Sequence, residues 1–169
     1  GALAADGASV AIVAGGVDRA YPRGNESLMR RLTEAGAVVS EVPPGSAPSR
    51  SRFLQRNRLI AAVATGTVVV EAAWRSGSLS TARAAEALGR PVGAVPGPTT
   101  SMTSAGCHAL VRGGAAVLVT DAADVADLVG RLGDDAVDEH VGPRSDVDDL
   151  DPVTVQVLDA LPVRTGRST

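Results

Sequence analysis

The chain has no lysine. All 16 basic residues are arginine, so every side-chain cation is a planar, permanently charged fork that matches phosphate and carboxylate geometry. A GC-rich genome produces the same bias and is the simpler explanation of it. Aromatic residues are almost as scarce, with one Phe, one Trp and one Tyr in 169 residues. The core must therefore come from Val, Ala, Leu and Ile, which suits helices laid on a sheet. A single cysteine, Cys107, excludes an internal disulfide, and His108 and His140 are too far apart in sequence to give a zinc signature. Cys107 adjoins His108, but neighbours on a helix point in different directions and do not form a nucleophile–base pair. No apolar run reaches membrane-spanning length, since charge, Gly or Pro interrupts each within about a dozen residues, and no secretory leader pattern is present. A cytoplasmic protein with no membrane partner is the expectation. No GxGxxG follows a strand and no GxxxxGKS/T occurs, so neither a dinucleotide fingerprint nor a P-loop is visible. With no nucleophile beside a base, no paired carboxylates and no metal cluster, no catalytic residue, cofactor or metal is expected.

What the chain does contain is concentrated between Gly66 and Ala87, GTVVVEAAWRSGSLSTARAAEA. Val68, Val69 and Val70 read as a strand buried on both faces, typical of a parallel sheet. A Ser-Gly-Ser turn then opens a helix. Gly77 lets backbone approach a ligand, while Ser76, Ser78 and Thr81 set hydroxyls beside the unpaired N–H groups of the helix N-terminus, the geometry of a phosphate site. A purely structural reading, in which Ser78 or Ser80 caps the helix, fits the turn taken alone.

Around this segment, strand and helix alternate. Strands are expected at 9–14, 37–42, 68–70, 91–95 and 115–120, and helices at 25–35, 53–64, 78–88, 104–112 and 121–132. Loops at 15–24 and 43–52 are rich in Gly, Pro, Ser and Arg. Such alternation implies an α/β fold: a Rossmann-like, open, mainly parallel sheet with helices on both faces and right-handed crossovers. Ligands of such sheets bind beyond the carboxyl ends of the strands. That rim gathers Arg19, Arg23, Arg50, Arg52, Ser76, Gly77, Ser78 and Thr99, with Arg56 and Arg58 close by. Tyr21 lies in a rim loop and is placed to stack on a base, whereas Phe53 and Trp74 read as packing residues.

Charge is unevenly divided. Residues 1–120 hold 12 Arg against 7 acids, and residues 121–169 hold 4 Arg against 12 acids. A positive body suits a polyanion, and the acidic stretch between Asp134 and Asp151 reads as a solvated linker. An uneven scatter of surface charge is the structural alternative, as a solvated helix face is for the run from Arg50 to Arg58.

Several short blocks then recur in a familiar order. Gly15-Gly16-Val17-Asp18-Arg19 with Tyr21-Pro22, Arg56-Asn57-Arg58-Leu59-Ile60-Ala61, Val69-Val70-Glu71-Ala72, Ser76-Gly77-Ser78-Leu79, Thr81-Ala82 and Ala94-Val95-Pro96-Gly97 resemble the GVDxxYP, RNRxIA, VVEA, SGSL, TA and AVPG blocks of the DNA-processing protein A (DprA, or Smf) family. Two positions depart from it. Leu54 stands where the family usually has Pro, and His108 where Asn is common. In the family a further strand and a Gly-rich SGxAxGID segment precede the point where this sequence opens, so a fragment with one wall of its anion pocket missing is expected.

The resemblance implies a single-stranded DNA binding protein, not an enzyme, that protects incoming strands in natural transformation and recombination and helps to load the RecA recombinase. The residues expected to hold DNA are Arg23, Arg50, Arg52, Arg56, Asn57, Arg58, Ser76, Gly77, Ser78 and Thr81. Glu71 is expected to orient Arg58 or a turn amide. Affinity for one short site should be modest, so tight binding calls for a homodimer or several sites along the strand. The resemblance also organises the chain: a core over 1–132, an acidic linker over 133–150, and the incomplete start of a winged-helix-like domain over 151–169. The alternative is a Rossmann-like nucleotide-binding protein or nucleoside-monophosphate N-glycosidic hydrolase, although the PGGxGTxxE signature of such hydrolases is not supplied by Pro96-Gly97-Pro98-Thr99.

Overall fold

Short β-branched segments followed by turn residues become parallel strands, and each is followed by a helix that carries the chain back. The computed structural model describes residues 2–5, 7–130 and 150–160. The chain divides into two units, Gly1–Val137 and Asp138–Thr169. In the first, β1 (Ser9–Val13), α1 (Glu26–Ala35), β2 (Gly36–Ser40), α2 (Arg50–Val63) and β3 (Thr67–Val69) are followed by α3 (Ser78–Ala87), β4 (Val92–Ala94), α4 (Ala105–Arg112), β5 (Val117–Leu118) and α5 (Ala122–Val129). Every pairing is parallel. β1 runs beside β2 from Ser9↔Gly36 to Val13↔Ser40, β3 beside β4 from Thr67↔Val92 to Val69↔Ala94, and β4 beside β5 at Gly93↔Val117 and Ala94↔Leu118. This is the α/β alternation of a Rossmann-like fold.

The five strands form two sheets rather than one continuous sheet, in the orders β1-β2 and β3-β4-β5. At the edge of β1 the carbonyl of Ile12 accepts a hydrogen bond from Arg56 Nη1 at 2.6 Å, so a side chain of α2 takes an acceptor that a neighbouring strand would otherwise use. Helix α2 packs on β1 and on α3, and thus joins the two sheets.

The core is made of small residues. Ala61, Val69, Ala72, Leu79, Ala82, Ala85, Val92, Ala94 and Cys107 form one buried cluster. β4 is buried throughout and is contacted by α3, α4 and α5. Close backbone approach matters here: a Cβ on Gly106 would lie 2.6 Å from the Ala72 carbonyl oxygen, to which the Gly106 N–H donates at 2.7 Å. Glycine therefore sets how deeply α4 seats against the chain leaving β3.

Two boundaries differ from the sequence reading with consequences for function. Helix α2 starts at Arg50 rather than Phe53, because Ser49 is extended and its hydroxyl accepts from the Arg52 N–H, capping a turn that includes Arg50 and Arg52. β3 ends at Val69, and of the three valines only Val69 is buried. Val70 is 70% exposed, since it lies past the end of the strand, so β3 is not covered on both faces along its length.

In the second unit, α6 (Pro152–Ala160) begins at Asp151, whose carboxylate accepts from the N–H groups of Val153 and Thr154. Hydrogen bonds from Thr154, first from its hydroxyl, hold that carboxyl below the usual range. The linker expected over 133–150 lies outside the described residues except for Leu150, as do residues 131–132 and 161–169. Among the described residues no helix is long and apolar enough to cross a membrane.

Candidate functional site

Arg50, Phe53, Leu54 and Asn57 recur along α2 at helical spacing, which sets them on one face. That face meets the Ser76–Ser78 turn and the first turns of α3. Between them lies an open cavity of about 950 Å³, lined also by Arg56, Trp74, Arg75, Thr81 and Arg83. None of its lining residues is acidic.

Asn57 positions the turn. It is buried, its Nδ2 donates to the Gly77 carbonyl at 3.3 Å, and its Oδ1 accepts from Arg56 Nε at 3.1 Å. Arg56 is held at several points, donating also to Ile12 and lying 5.5 Å over the Phe53 ring. Its partial burial lowers its pKa from the ordinary arginine value. Arg50, Arg75 and Arg83, by contrast, are exposed and make no ion pair among the described residues. Their charge is available to a ligand.

The turn is closed by Ser76, not capped by Ser78 or Ser80. Ser76 Oγ accepts from the Ser78 N–H at 3.3 Å and lies 3.1 Å from Ser78 Oγ, and no side chain caps the helix from Gly77. Gly77 has φ −61°, ordinary right-handed backbone, and a Cβ there would meet nothing within 4 Å. Its lack of a side chain opens the turn to a ligand rather than relieving strain.

Seven of the ten residues picked from sequence thus come together: Arg50, Arg56, Asn57, Ser76, Gly77, Ser78 and Thr81. Three do not. Arg58 faces away and pairs with Glu41, so Glu71 is not its partner as expected. Arg52 donates to the Ala47 carbonyl and braces the preceding loop. Arg23 lines a separate cavity of about 730 Å³ with Arg19, Tyr21 and Arg30. Arg75 and Arg83 were not singled out, although Arg75 sits in the rim loop leaving β3, where the rim argument alone would have found it. Trp74, expected to pack, is instead 59% exposed on the cavity wall, carried by the loop between β3 and α3.

Cys107 and His108 serve packing and loop anchoring. The Cys107 thiol is buried, donates to the Val69 carbonyl at 3.5 Å, and burial pushes its pKa up, away from the reactive thiolate. His108 Nε2 lies 2.9 Å from the Gly97 carbonyl oxygen, tying α4 to the loop after β4. Among the described residues no group of three His, Cys, Asp or Glu side chains is placed to hold a metal.

The profile of the DNA recombination-mediator protein A family matches residues 1–130. The chain is 52% identical over 163 residues to the putative DNA processing protein DprA of Mycobacterium tuberculosis, covering 96% of this chain and 41% of that protein. It is 41% identical over 124 residues to the DprA of Streptococcus pneumoniae, covering 73% of this chain and 44% of that one. The X-ray structure of the pneumococcal protein superposes with a TM-score of 0.71 at 39% identity, over 77% of this chain and 46% of that one. A structure of Helicobacter pylori DNA processing protein A, described for its single-stranded DNA binding mode, superposes with a TM-score of 0.60 at 25% identity, over 66% of this chain and 51% of that one. The chain therefore spans less than half the length of the curated relatives it matches. On the extent of the profile match and the level of identity, it belongs to the DNA recombination-mediator protein A family, also called DprA or Smf.

Proposed function

We propose that this unit binds single-stranded DNA through its phosphates in the cavity between α2 and the Ser76–Ser78 turn. One observation carries the reading: four arginines and an open Ser-Gly-Ser turn converge on one cavity that has no acidic lining residue. Arginines that neutralise phosphates release counterions, so binding is independent of sequence and falls steeply with salt. Trp74 on the wall supplies a surface on which a base can stack. The Helicobacter pylori relative, described for its single-stranded DNA binding mode, supports the same ligand.

Within the whole protein this binding serves to protect incoming strands and to help load the RecA recombinase in transformation and recombination. A homodimer would join two such cavities and raise a modest affinity by avidity. Cations and hydroxyls on the cavity wall support a binding role. An anisotropy titration of labelled oligo-dT and of a duplex of equal length, at two salt concentrations, tests the reading. Tighter binding of the single strand, weakening with salt, is expected; equal binding of both, or release of free base from nucleoside monophosphates, would overturn it.

A further inference from the structure

The second cationic cavity lies next to the first, and the two share an aromatic partition. Tyr21, on the wall of the second cavity, packs against Phe53, on the wall of the first, with ring centroids 5.9 Å apart and planes inclined by 53°. Phe53 in turn lies beneath Arg56. Tyr21 is nonetheless 62% exposed, so most of its ring surface is open.

The floor of the second cavity is a face of α1, where Glu26, Met29, Arg30 and Thr33 recur at helical spacing. Arg23 stands at its entrance from the short 3₁₀ turn that precedes α1. Arg23 and Arg30 are exposed and form no ion pair among the described residues. The acids here are Asp18 and Glu26. Asp18 is engaged, accepting from the Gly45 N–H at 2.7 Å and lying 3.9 Å from Arg19. Two free guanidinium groups, an open phenol ring and the apolar side of Met29 are the components that hold an unstacked nucleotide: phosphate on the arginines, base on the ring.

The geometry points to a second nucleotide subsite at Tyr21, Arg23 and Arg30, reached by a single strand that crosses the Tyr21–Phe53 partition from the Ser76–Ser78 cavity. This inference rests on the proposed single-strand binding and extends it, since the subsite is filled only by a strand long enough to leave the first cavity. Glu26, one turn before Arg30 on the same face of α1, opposes the phosphate and limits the affinity of the subsite.

The test compares oligo-dT of about 4 and about 16 nucleotides, the two ends of the range of single-strand site sizes. Binding to the 169-residue chain is read by anisotropy, with dTMP as a free-nucleotide control. In the wild type the longer strand should bind more tightly. Arg23→Ala with Arg30→Ala should remove about tenfold of the long-strand affinity and lower its salt slope by about 1.4, or about 0.7 per phosphate contact. The same variant should leave the short strand unchanged. Tyr21→Ala should also cost the long strand alone, Tyr21→Phe should restore it, and Glu26→Gln should tighten it. Equal losses for both lengths, or no loss for either, would overturn the subsite while leaving the first cavity standing. Saturation of the subsite by dTMP in the absence of a strand would overturn the strand-crossing model. Failure of the wild type to bind either oligonucleotide would instead overturn the underlying function.

Discussion

Asn57 Nδ2 donates to the carbonyl oxygen of Gly77 at 3.3 Å, and this bond ties helix α2 to the Ser76–Ser78 turn. The same side chain accepts from Arg56, so one buried amide sets the relation between a cation and the proposed phosphate seat. Replacing it tests whether the site is preorganised. Asn57→Ala leaves a carbonyl and a guanidinium N–H without their partners and should cost about 1–3 kcal/mol of stability, measured by urea denaturation. A loss below about 0.5 kcal/mol would show that the tie is not maintained in solution.

Gly77 and Gly106 should respond oppositely to an added methyl group. At Gly106 the new Cβ would meet the Ala72 carbonyl at 2.6 Å, so Gly106→Ala should destabilise by about 1–3 kcal/mol. At Gly77 nothing lies within 4 Å, so Gly77→Ala should leave stability within about 0.5 kcal/mol of wild type. Its effect should appear in oligo-dT affinity, because the methyl group intrudes on a phosphate at the turn. Thermal melts and anisotropy on both variants check the contrast.

Trp74 is the sole tryptophan and lies on the cavity wall, 59% exposed. Titration with oligo-dT should therefore quench the intrinsic tryptophan emission, with the same midpoint as the anisotropy change. Unaltered emission at saturating DNA would place the strand elsewhere.

Cys107 gives stability a pH signature. Burial raises its pKa in the folded state, so the folded chain holds the thiol proton where the unfolded chain has released it. Its stabilising contribution is complete below the ordinary thiol value of about 8.5 and is lost as pH rises from there towards the folded value. Denaturation at pH 8 and pH 10 should show this fall, and Cys107→Ala should lessen it whatever its own packing cost. An identical pH dependence in the variant would contradict the assignment.

Much of this was legible in the chain. The β-branched runs and the Gly and Pro punctuation mark the βα units of the first unit, because short β-branched segments between turn residues carry a strong local strand signal even where they are not buried. Ser49, one of several serines in a Pro- and Ser-rich loop, is the cap that places Arg50 and Arg52 on a helix, and local pattern does not distinguish it from its neighbours. That Arg58 pairs with Glu41 and that β1 and β3 remain in separate sheets depend on tertiary approach, which sequence spacing does not encode. The site was readable to the extent that the cavity follows helical periodicity along α2. Arg83 reached it only through the packing of α3 on α2.

The central claim is that unpaired arginines on the cavity between α2 and α3 hold the phosphates of a single strand. It is tested most directly by the salt dependence of oligo-dT binding in Arg75→Ala/Arg83→Ala beside Arg58→Ala, whose guanidinium is paired with Glu41 outside the cavity. The double variant should bind more weakly, with a log–log salt slope smaller by about 1.4, while Arg58→Ala keeps the wild-type slope. A double variant with the wild-type slope, or an equal reduction in Arg58→Ala, would contradict the claim.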